Sequence, residues 1–132
     1  MQTSIAALSN TNFAIEAGGT ATFQGKAAYE VEVEQTFASG VDPDGTFSAL
    51  TKRRVFIDAS SYLVLGVEDS LHPPDSTEPA RRHQLLYSGY RNVNGVAVPF
   101  SVTETLSGQR TWTFALSSIS FNTGLTAADF TL

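Results

Sequence analysis

A chain of 132 residues with 42% hydrophobic content reads as one domain, long enough to bury a core and too short for two. Its formal charge of −5 argues against nucleic acid and anionic membrane surfaces, which both favour a basic face. It has no cysteine, hence no disulfide and no thiolate metal site, and no apolar run approaches the ~20 residues that cross a bilayer.

Residues 1–12 are small and polar and predict little structure, one helical turn at most. They contain neither the basic stretch nor the long apolar stretch of a signal peptide. Residues 13–17 predict a short strand stopped by Gly18-Gly19, and residues 20–24 a second one. Residues 28–37 alternate cleanly. Tyr29, Val31, Val33 and Phe37 share one face; Glu30, Glu32, Glu34 and Thr36 share the other, where their charge suits water or discourages edge pairing. Asp42-Pro43-Asp44-Gly45 spells a turn. Strands follow at 52–58 and 62–71, joined by Ala59-Ser60-Ser61, and the prolines of 72–79 demand a loop.

The tail is the most legible part. Asn94-Gly95 and Ser107-Gly108 each sit between strand-like runs, and an Asn-Gly pair supplies the positive φ values of a type I′ hairpin. In residues 96–106, Val96, Val98, Phe100, Val102 and Leu106 share a face with Glu104. In residues 110–121, Trp112, Phe114 and Leu116 are in phase, but Ile119 and Phe121 are not, which places a bulge or bend at Ser117-Ser118. Pro99 lacks a donor, so its strand is locally an edge or bulged. The expected fold is mainly β, a curved antiparallel meander with little helix. Residues 62–71 and 83–90 are apolar on both faces, so the second face needs a cover: a helix, a sheet, a second subunit or a ligand.

No spacing spells a reaction. His72, in a proline loop, and His83, in a strand, are far apart and show no metal spacing. Asp42-x-Asp44-Gly45 echoes the start of a calcium loop but lacks its other acidic ligands, so it reads as a turn. Lys52-Arg53-Arg54 and Arg81-Arg82 read as strand ends in water, with an anionic partner as the alternative. Glu104 is the unusual residue. It marks a site, pairs with Arg110 across the hairpin, or points away beyond a misplaced bulge. Trp112 with Phe114 is core packing or a stacking surface. No catalytic residue, cofactor site or metal site emerges.

Three blocks carry a family resemblance. These are Phe56-Ile57-Asp58-Ala59-Ser60-Ser61-Tyr62-Leu63-Val64, then Tyr87-Ser88-Gly89-Tyr90-Arg91-Asn92-Val93-Asn94-Gly95-Val96-Ala97-Val98-Pro99-Phe100, and Phe121-Asn122-Thr123-Gly124-Leu125 followed by Asp129-Phe130. Together they resemble outer-membrane lipoprotein carriers of the LolA type, chiefly their poorly described secreted branch, over residues 26–130. The resemblance implies a LolA/LolB-like half-barrel whose apolar concave face holds acyl chains under helices, in a periplasmic or secreted protein. The relatives are longer, and this chain looks like their C-terminal part. Two expectations follow. One is a non-catalytic module that binds a lipid, an acyl chain or a lipoprotein on a face lined by Val98, Phe100, Val102, Trp112 and Phe114. The other is an interaction domain that pairs its apolar faces in a homodimer and takes no small ligand.

Overall fold

A computed structural model describes residues 12–72, 79–121, 123, 124 and 126. Seven strands form one antiparallel sheet: β1 (Phe13–Phe23), β2 (Lys26–Gln35), β3 (Arg53–Asp58), β4 (Val64–Leu71), β5 (Arg81–Val93), β6 (Val96–Leu106) and β7 (Gln109–Ala115). Among the described residues, one short helix, α1 (Thr46–Leu50), lies between β2 and β3. Strand order in the sheet equals chain order, and the sheet is not closed, so β1 and β7 are its edges. This is the expected antiparallel half-barrel. The expected disorder or short helix at 1–12 falls almost entirely outside the described residues, as does most of the 72–79 loop.

Three two-residue turns join the long hairpins, at Gln24-Gly25, Asn94-Gly95 and Ser107-Gly108. Each has positive φ at both positions, from 51° to 85°, whose backbone twist matches that of the flanking strands. The Ala59–Ser61 turn is built differently. Asp58 Oδ1 accepts hydrogen bonds from the Ser60 and Ser61 backbone N–H groups (2.9 and 3.0 Å) and from the Ser60 hydroxyl (2.6 Å). Those bonds, the Ser60 hydroxyl first, hold the Asp58 carboxyl well below the ordinary carboxylate range.

Register corrects or extends the sequence reading at four places. Gly18-Gly19 does not stop a strand: β1 runs through it, and the pairing with β2 slips between Ala17 and Gly19. A Cβ at Gly18 would lie 2.8 Å from Glu30 Cγ, so the slip needs a glycine there. In β4 a bulge between Phe56 and Ile57 of β3 reassigns Leu65, which leaves the face of Val67 and joins the opposite one. At the far edge the chain bends at Ser117 as expected, just past the end of β7 at Ala115, and the ladder itself is irregular earlier. The bulge lies at Thr111, where Glu104 pairs with Trp112 and Thr105 with Arg110. Finally, the glutamates of β2 do not guard an edge, since β1 and β3 flank that strand. Pro99 behaves as expected: the β6–β7 ladder stops at Ser101, leaving Pro99 with β5 alone.

The two sheet faces differ. On one, Phe23, Ala28, Phe56 and Leu65 form a small buried core with Ala21 and Leu86 against it. Phe23 and Phe56 stack with centroids 4.1 Å apart. Gly66 makes room for that stack, since a Cβ there would fall 2.8 Å from the Phe23 ring and 2.7 Å from the Leu85 carbonyl. Phe23, at the end of the β1–β2 hairpin, thus supplies part of the cover that two-sided apolar strands require. A polar row crosses the same face in register: Glu32, Arg54, Glu68, Gln84, Thr105. Arg54 pairs with Glu68, Gln84 donates to Glu68 at 2.7 Å, and Thr105 donates to Gln84 at 3.1 Å, so the buried Glu68, Gln84 and Thr105 are satisfied.

Candidate functional site

Among the described residues, the opposite face is open. Alternation along each strand sends Val31, Val33, Val55, Ile57, Val67, Leu85, Tyr87, Val102 and Phe114 to it. Here the sheet encloses a hollow of about 410 Å³ lined by Phe13, Val33, Val55, Val67, Leu85 and Tyr87, with Gln35, Thr51, Arg53, Asp69 and His83 around them. The volume falls within the roughly 300–1,000 Å³ typical of small-molecule sites.

The five residues named from the sequence (Val98, Phe100, Val102, Trp112 and Phe114) all project to this face from β6 and β7. They extend the apolar surface beside the hollow and do not line it. Phe100 is buried, and the Arg91 guanidinium lies 4.3 Å from its ring centroid. Trp112 and Phe114 remain 45% and 55% exposed, which makes them surface rather than core. The lining of the hollow comes mostly from β1 to β5. Those residues are visible in the sequence as alternating apolar positions, but only the register shows which set faces the hollow.

One end of the open face carries a polar lip. Arg53 on β3, Asp69 on β4 and His83 on β5 lie on neighbouring strands, and Glu104 on β6 reaches in diagonally. His83 Nδ1 is 2.6 Å from Asp69 Oδ1, and Nε2 is 3.1 Å from Glu104 Oε1. Arg53 Nε is 3.8 Å from Asp69 Oδ2, and the Thr111 hydroxyl donates to Glu104 Oε2. Burial pulls the His83 pKa down, but the two carboxylates outweigh it and raise it above the ordinary histidine value. The Thr111 hydroxyl above all, then His83, hold Glu104 below its ordinary value against burial. Glu104 therefore does not pair with Arg110, which faces the other side opposite Thr105. His83 is held between two carboxylates rather than poised as a free ligand.

The other candidates resolve as local structure. Burial raises the Asp42 pKa, but hydrogen bonds from Ser48 and Phe47 overcome it, and the carboxylate stays low. Its oxygens accept from the Phe47 and Ser48 backbone N–H groups, both at 2.9 Å, at the start of α1. Lys52 pairs with Glu32 at 2.6 Å, and Arg54 with Glu30 and Glu68, so two members of the basic run hold the sheet's charged face. His72 is exposed. Among the described residues, no group of three or more His, Cys, Asp or Glu side chains could hold a metal ion, and no helix is long and apolar enough to cross a membrane.

No family model matches the chain, and no curated protein matches it significantly. Among solved structures it is similar to a crystallised domain from Vibrio parahaemolyticus whose name assigns it to outer membrane lipoprotein sorting, with a TM-score of 0.61 and 21% identity. The match covers 90% of this chain and 46% of the other, so the present chain spans about half the length of its neighbour. At that identity the likeness establishes a shared fold, an antiparallel half-barrel that is not closed.

Proposed function

We propose that this protein is a non-catalytic module that holds an acyl chain or similar hydrophobic ligand on its open sheet face, in the manner of a periplasmic or secreted carrier. The observation that carries the reading is the 410 Å³ hollow with an apolar floor, on the face opposite the core cluster of the described residues. Burying apolar ligand surface there contributes roughly 25 cal/mol per Å², with no reactive group required. The neighbour's name points the same way, and the shared fold is a scaffold suited to the task. The test is mass spectrometry of a solvent extract of purified protein, together with titration by N-phenyl-1-naphthylamine, an uncharged fluorophore that brightens in apolar sites. Stoichiometric lipid or saturable probe binding supports the reading. An empty protein that leaves the probe dark rejects it.

A second reading is a homodimer formed through the apolar faces. It is favoured by β7, an edge strand whose seven residues are all exposed and which presents Trp112 and Phe114. Sizing of delipidated protein separates the two, since a tight dimer that excludes the probe selects the second.

A further inference from the structure

His83 sits where the apolar hollow meets its polar lip, and both of its ring nitrogens face carboxylates. Only the protonated ring can donate to both at once, because a neutral imidazole has one N–H. The charged groups around it come from every neighbouring strand: Arg53 from β3, Asp69 from β4, Arg81 two residues earlier on the same face of β5, and Glu104 from β6. Gln109, Thr111 and Trp112 on β7, Gln35 on β2 and Tyr87 further along β5 are uncharged near neutral pH. At the lip Arg53 offsets one of the two carboxylates, and the imidazole proton decides whether the other is offset or leaves the lip negative.

We propose that His83 is the residue that sets the charge preference of this groove. With its proton it admits an amphiphile with an anionic head beside Arg53, and without it the groove turns such ligands away while still taking uncharged ones. This deepens the reading given above and rests on it. The geometry fits the role. Arg53 is half exposed, and its contact with Asp69 is long, so its guanidinium can still meet a carboxylate. The Asp69 and Glu104 oxygens are engaged by His83 only while both nitrogens carry hydrogen. Once one proton leaves, a carboxylate is freed beside the incoming head. Against burial, the two carboxylates raise the His83 pKa, so the change lies above the ordinary histidine value.

The experiment compares two ligands on the full chain between about pH 6 and pH 9. N-phenyl-1-naphthylamine stays uncharged throughout, and laurate, measured by displacement of that probe, stays ionised. In the wild-type protein, laurate affinity relative to the probe should fall roughly threefold or more across the range, the effect of one unit charge at close distance in a partly screened site. In His83→Gln the ratio should stay low and flat, and in His83→Lys high and flat, with circular dichroism confirming that each variant is folded. A flat wild-type ratio with good probe binding overturns the inference alone. So does a pH response that survives in His83→Gln. Failure of the probe to bind at any pH overturns both this inference and the reading it rests on.

Discussion

The packed and open faces of this sheet are made from the same strands, often from adjacent residues, yet they are stabilised differently. On the packed face Phe23 lies over Gly66 and stacks on Phe56, and the buried polar atoms of the Arg54–Glu68–Gln84–Thr105 row find partners. On the open face Val55 and Phe100 are buried, but Trp112 and Phe114 stay half exposed and the hollow between β1 and β5 is unfilled. One side therefore carries the core cluster, and the other keeps the apolar surface that the proposed binding would use. A thin sheet can separate the two tasks because side-chain direction alternates at each residue.

The contrast can be broken most strongly on the packed side. Phe56→Ala should lower unfolding free energy in urea by about 3–5 kcal/mol, as expected for removing a buried aromatic ring. Gly66→Ala should cost about 1–3 kcal/mol, because its methyl group would push on the Phe23 ring and the Leu85 carbonyl; a Phe23→Leu background should recover part of the loss. Arg54→Met removes the cationic partner of the buried Glu68. With Arg54 itself partly in water, a loss of about 1–2 kcal/mol is expected, again by urea unfolding.

The Asp58 turn gives a weaker effect, whose pH dependence is confined to acid. Its folded pKa is depressed, so its contribution is complete above the unfolded value near pH ~4 and is lost as pH falls below it. Thermal melts should show the wild type losing stability below about pH 4 more steeply than Asp58→Asn. The smallest change in stability belongs to the open face. Phe114→Ala should cost under about 1 kcal/mol, since the ring is already half in water, while weakening N-phenyl-1-naphthylamine binding. A large loss of stability instead would show that this face is a core.

Local chemistry was well written in the sequence. The Asn94-Gly95 and Ser107-Gly108 turns stand where their residues demand them, and β6 spans the expected Val96–Leu106. Pairing was less legible, because it depends on two strands at once. Gly18-Gly19 reads as a stop along one strand and proves to be a slip only when Glu30 is seen opposite. The bend at Ser117 was legible in the phase change, but the shift at Thr111, where the Glu104 partner slips, was not. The same limit hid the lip. Asp69 and His83 are 14 residues apart and His83 and Glu104 are 21 apart, so no local spacing joins them. Leu65 moved to the packed face for the same reason, since a bulge reverses every parity argument beyond it.

Because strand order equals chain order, no backbone pairing has to wait for a distant segment to arrive. Three hairpins close through two-residue turns, the longer β2–β3 and β4–β5 connections still join sheet neighbours, and every later strand docks on one already laid down, so the entropic search is short at each step. An all-β chain assembled this way should refold faster than a Greek-key sandwich of equal size. The same serial plan lets a ribbon gain or lose a strand at either margin without rethreading the rest.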